Sequence, residues 1–144
     1  MKLAIDNTTL ADDFFSDTRI LGIVAPVKDY RFCWLVNYAL GCDFRLNSDV
    51  EIQLAKKNRQ YFFAVYEYRE AGTALFHYIY NNQFDGEYLL PEFRHLDFLW
   101  LLKGDSVRDD YMHYLQQSIK KINGVQLVTE LEKEKIKNKI HLVF

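Results

Sequence analysis

The sequence predicts an α+β protein, with an antiparallel sheet of about five to seven strands and two main helices packed on it. Three observations carry this. In RQYFFAVYEYREAGTALFHYIYNN, residues 59–82, two long β-rich runs flank Glu70-Ala71-Gly72. DSVRDDYMHYLQQSIKKING, residues 105–124, repeats its apolar side chains at helical spacing. Along the chain the pattern reads strand, helix, several strands, helix, strand, strand.

The first strand is TRILGIVAP, residues 18–26, an apolar β-branched run closed by Pro26. A helix follows over residues 28–40. Leu35 and Ala39 are four apart there, as are Tyr30 and Trp34, and Trp34 and Tyr38. Asp29 suits its positive end, and Gly41 suits the position just past its last turn. CDFRL and VEIQL read as short strands separated by the turn Asn47-Ser48-Asp49.

For the central runs, a three-residue loop with Gly72 in the left-handed region is a common hairpin connection. It places Phe62, Tyr66, Tyr68, Phe76, Tyr78 and Tyr80 on one face. Val65, Leu75, His77 and Ile79 fall on the other. Neither face is polar, so both are expected to be covered. HLDFLWLLKG adds a nearly continuous apolar strand ending at Gly104.

The second helix is expected to open on a capping box of Ser106 and Asp109. It buries Val107, Tyr111, Tyr114, Leu115, Ile119 and Ile122, and carries acids at its start and lysines at its end. VQLVTEL is a strand, EKEKIKNK a solvated connection, and IHLVF a final short strand.

A chain of 144 residues without repeats or a Pro/Gly/Ser linker reads as one domain, residues 1–144. Apolar residues make up 49% and charged residues 26%, with a net charge of −2, so no large nucleic-acid footprint is implied. The opening MKLAIDNTTLADDFF carries acids and no long apolar run, and reads as neither a signal nor a transit peptide. No segment is expected to span a membrane. Cys33 and Cys42 are expected to be free thiols, because the helix and cap between them hold their Cα atoms beyond bridging distance.

LPEFRHLDF, residues 90–98, concentrates ionisable groups. His95 near Glu92 and Asp97 could serve as a general base. A strand over residues 94–102 would place His95 and Asp97 on one face. The alternative is structural: Glu92 and Asp97 accept hydrogen bonds from backbone amides or a cation and anchor the strand. His77, His95, His113 and His141 have no metal-ligand spacing, so neither metal nor cofactor is expected. The run Arg59–Tyr66 loosely echoes an RNA-recognition strand through Tyr61, Phe63 and Tyr66. Gln60 and Phe62 replace the small residues that pattern needs. No nucleophile elbow or phosphate-binding loop occurs, and enzymatic activity has no sequence support.

LPEFRHLDF resembles the signature of the IPExxxVDY family of bacterial proteins. Pro91, Glu92 and Asp97 match it, while Leu90, Leu96 and Phe98 stand for Ile, Val and Tyr. The early ILGI, the helical WLVN and the terminal HLVF agree with that resemblance. The family has no assigned activity, so the resemblance carries no catalytic residue. It implies a cytoplasmic accessory role.

The expected function is therefore that of a cytoplasmic, non-enzymatic interaction domain with a protein partner or a second copy as a homodimer. Tyr66, Tyr68 and Tyr78 are the candidate contact residues, because tyrosine is costly in a sealed core and enriched at interfaces. The alternative is a small-molecule or RNA-binding domain that uses the aromatic sheet face.

Overall fold

The computed structural model describes residues 10–104 and 107–144. A helical stretch at residues 10–15 leads into β1 (Thr18–Val24) and α1 (Asp29–Leu40). Then come β2 (Arg45–Lys56), β3 (Arg59–Arg69), β4 (Phe76–Asn81), β5 (Gln83–Phe84), β6 (Glu87–Tyr88) and β7 (Phe98–Lys103). α2 (Asp109–Lys120) and β8 (Leu127–Leu131) follow, with short 3₁₀ turns closing the chain. Six strands form one antiparallel sheet in the order β2-β3-β4-β7-β1-β8, and β5 pairs with β6 as a separate ribbon. The fold is α+β, with helices packed on the sheet.

The centre of the sheet is apolar on both faces, and both are covered. On one face, Phe32, Cys33 and Val36 of α1 and Met112, Leu115 and Ile119 of α2 pack on Leu21, Ile23, Ile79, Trp100 and Leu102. On the other, Phe15, Leu89, Leu90, Leu96, Ile136 and Leu142 pack on Ile20, Phe63, Tyr80, Leu99 and Leu101. Most of that second layer comes from loops and turns. Loop backbone in a core must find its own hydrogen-bond partners.

Several local expectations are corrected. The β3–β4 pairing joins Val65 to Tyr80, Tyr66 to Ile79 and Tyr68 to His77, so opposite parities share a face. The turn is longer than a three-residue loop. The Glu70 amide donates to the Leu75 carbonyl, and Thr73 folds back on the Glu70 carbonyl through both its amide and its hydroxyl. Each residue of turn length inverts one strand relative to the other.

Asn47-Ser48-Asp49 does turn, with the Asn47 side chain accepting the Asp49 amide at 3.0 Å. It makes a bulge inside a single strand, because pairing with β3 resumes at Glu51. The segment 140–144 is no strand. Lys139–Leu142 is a 3₁₀ turn whose Leu142 carbonyl accepts the buried Tyr80 hydroxyl at 2.8 Å. One side-chain hydrogen bond there replaces a ladder.

Gly41 ends α1 in the left-handed conformation, with φ +68° and its amide bonded to Asn37. α2 begins at Asp109 with Arg108 at its N-cap, and Ser106 lies outside the described residues. The Asp109 carboxylate turns instead to Arg19, which also binds Glu130 through two 2.8 Å bonds. Arg19 thereby ties β1 to β8 and to the start of α2. Tyr114 points outward and Met112 takes its place in the core.

Candidate functional site

The LPEFRHLDF segment is a turn and a crossing, and the strand begins only at Phe98. Leu90 is extended, as a residue before proline prefers, and Pro91–Phe93 form a 3₁₀ turn. Arg94 and His95 project into solvent, so His95 and Asp97 do not share a strand face. Glu92 accepts the backbone amide and the side-chain amide of Asn138, both at 2.8 Å. Burial alone would raise its carboxyl, but the Asn138 bonds, joined by the backbone amides of Glu92 and Lys137, outweigh it and hold the group below the ordinary glutamate range. Asp97 accepts the Ala25 amide at 2.8 Å, while its own amide donates to Ile23. It fixes the end of β1 just before Pro26, which has no amide to offer. Leu96 packs directly over Gly22, where a Cβ would collide with it.

A residue outside the motif organises it. Asn82 is fully buried, and its side chain accepts the Leu90 amide at 2.8 Å. The same side chain donates to the carbonyls of Phe93 at 3.1 Å and Leu96 at 2.8 Å. Its backbone adds bonds to Asp97 and Leu89. Asn82 thus serves as the missing strand partner for the whole segment. The sequence signal was an asparagine pair, Asn81-Asn82, ending an apolar strand; nothing in its spacing points eight residues ahead.

Tyr66, Tyr68 and Tyr78 do not form one patch. Tyr66 and Tyr78 are only 9% and 8% exposed and lie on opposite faces of the sheet. The odd-sum register separates them. The Tyr66 hydroxyl donates to Asp29 at 2.9 Å, tying β3 to the start of α1, and burial pushes its pKa up. Tyr78 packs on Phe144 with ring centroids 4.9 Å apart, and burial, then Glu67, push its pKa up to about 12. Tyr61 and Phe63, the other aromatics of the Arg59–Tyr66 run that echoed an RNA-recognition strand, are buried as well. Of the three tyrosines Tyr66, Tyr68 and Tyr78, Tyr68 is the one left half-buried.

Tyr68 lines a cleft of about 320 Å³ between the C-terminal end of α1, α2 and the sheet. His77 lies at its floor, between Tyr68 and Leu102 on the flanking strands and close to the rings of Phe44 and Trp100. Its Nδ1 accepts the Trp100 indole N–H at 3.0 Å, and its Nε2 has no partner among the described residues. At the wall, the Tyr111 hydroxyl approaches Glu70 at 3.4 Å. Cys33 and Cys42 are free thiols, and burial, then Glu70, push the Cys42 thiol up to about 11. Neither is poised as a thiolate nucleophile.

Burial lowers the pKa of His77 from 6.5 to about 4. The unfolded chain therefore binds this proton before the folded one does. The contribution is complete above pH 6.5 and shrinks as pH falls towards 4, by about 3 kcal/mol. Chemical denaturation at pH 7 and pH 4 checks this. The native chain should lose about 3 kcal/mol more than His77→Gln, since carboxylates titrating in the same window contribute equally to both. Equal losses would refute it.

The largest exposed aromatic group is on α1. Tyr30, Trp34 and Tyr38 are 67%, 58% and 81% exposed, and Trp34 stacks on Tyr38 with centroids 5.6 Å apart. Their i, i+4, i+8 spacing was visible in the sequence as helical periodicity. The side they occupy was not, because Phe32, Cys33 and Val36 form an equally regular set and are the ones buried.

Among the described residues, no group of three His, Cys, Asp or Glu side chains is arranged to hold a metal ion. No described helix is long and apolar enough to cross a membrane. No protein-family model matches the chain, and no curated protein does either.

Proposed function

We propose that this chain is a non-catalytic interaction domain of the cytoplasm whose contact face is the outer side of α1. The observation that carries the reading is the solvent-facing stripe of Tyr30, Trp34 and Tyr38. Large rigid aromatics are what interface centres enrich, and Trp and Tyr dominate binding energy there. A helix offering anchors at i, i+4 and i+8 suits a groove on a partner, or the same helix of a second copy. The IPExxxVDY-like segment has a role consistent with this. Its two matching carboxylates are engaged by backbone and by Asn138, and are spent on holding the fold.

The double variant Trp34→Ser with Tyr38→Ser tests the reading. Both side chains are exposed, so stability should stay within about 1 kcal/mol of the native chain. Sedimentation equilibrium reports self-association, and affinity capture from the native cytoplasm reports other partners. The variant should lose the association that the native chain shows. Unchanged self-association together with an unchanged set of captured proteins would refute the reading.

A further inference from the structure

The cleft over His77 is chemically unlike the exposed stripe and independent of it. Because Nδ1 accepts the indole N–H of Trp100, the neutral imidazole carries its proton on Nε2. That N–H is a donor with no acceptor among the described residues, on a side chain only 2% exposed. A buried donor left unpaired is costly, and an arriving acceptor recovers that cost. Aromatic side chains line the cleft, from Trp100, Tyr68, Tyr111 and Tyr114. Glu70 supplies an acceptor at the wall, since Tyr111 offers it one long bond. The volume of about 320 Å³ lies at the small end of ligand sites.

We propose that this cleft binds a small planar nitrogen heterocycle carrying a ring carbonyl, the chemistry of a free pyrimidine or purine base. The carbonyl accepts from His77 Nε2–H, the ring lies among the aromatic walls, and an amino or ring N–H group donates to Glu70. Nε2 is screened from the open cleft, so the carbonyl reaches it once the Tyr68 ring, 5.4 Å from the imidazole, turns aside. A free base suits the site better than a base within a nucleic-acid strand. No Lys or Arg is among the described residues that line the cleft, so phosphates would go unneutralised.

Nitrogen-detected NMR of the full chain tests this, with cytosine and guanosine as probes, benzyl alcohol as the flat control without a ring carbonyl, and a short single-stranded oligonucleotide. Cytosine or guanosine should shift the His77 Nε2 and Trp100 Nε1 signals saturably at millimolar concentration, and benzyl alcohol should not. Ser118→Trp fills the cleft from its half-exposed wall without touching His77. It should weaken binding at least about tenfold. A thermal melt matching the native one shows that this variant is folded. Three results would overturn the proposal: no saturable shift with either probe, shifts that persist in a folded Ser118→Trp protein, or salt-sensitive oligonucleotide binding tighter than that of the nucleoside.

Discussion

An Asn82→Ala protein should lose about 4 kcal/mol of stability, among the larger effects a single substitution can have. The substitution leaves the Leu90 amide and the Phe93 and Leu96 carbonyls without their buried partner. Each orphaned group costs about 1–3 kcal/mol, and water admitted by the smaller side chain offsets part of that. Leu89, Leu90 and Leu96 form part of one core layer, so a loosened segment takes packing with it. Asn82→Asp separates hydrogen bonding from volume. A carboxylate can still accept from Leu90 but faces two carbonyls it cannot satisfy. Its deficit should shrink as pH falls, because a protonated carboxyl donates to one of them. Urea denaturation of the variants at pH 7 and pH 4 measures this. An Asn82→Ala protein within about 1 kcal/mol of native would show that the segment holds itself.

Gly104→Ala should cost about as much, for a backbone reason. Gly104 sits just past β7 at φ +121°, where a Cβ would overlap the carbonyl oxygen of Ala74. That neighbour is main chain in the turn before β4, so relief requires moving a strand connection. The comparator is Gly72→Ala, at φ +75° with open space around it. It carries the left-handed cost alone, about 1 kcal/mol. The two variants should therefore differ by about 3 kcal/mol in denaturation midpoints converted to free energy. Equal losses would mean that the Ala74 contact relaxes freely.

These two positions mark where the sequence could be read and where it could not. Periodicity located both main helices, the β1 run, the central hairpin and the apolar β7, because each is a local pattern repeated over several residues. The glycine at the end of α1 was equally legible. What failed depended on distance or parity. The turn is three residues longer than the expected loop, and that odd difference inverts the face assignment of β4 relative to β3, and with it the grouping of Tyr66 with Tyr78. The bulge in β2 hid inside turn chemistry that looks the same when it ends a strand. Tyr80 and Leu142 meet across 62 positions, and no local pattern encodes that bond.

The candidate sites followed the same rule. Glu92 and Asp97 were picked out as hydrogen-bonded anchors from their place around Pro91, but Asn138 and Ala25 as partners were not foreseeable. Asn82 was missed outright. On α1, two interleaved sets of apolar residues compete for the core, and only tertiary packing decides that Phe32, Cys33 and Val36 enter it. Asp85-Gly86, with both φ values positive, makes the β5–β6 ribbon by a turn rule that was available in the sequence.

In the function proposed above, the outer face of α1 meets another protein. Hydroxyl-radical footprinting reads that contact, comparing dilute purified protein with the same chain in its native cells. Trp34 and Tyr38 should oxidise readily when purified and be protected several-fold in the cell, while exposed Tyr114 on α2 changes little. Equal oxidation of Trp34 and Tyr38 in the two settings would mean that no partner covers this face of α1.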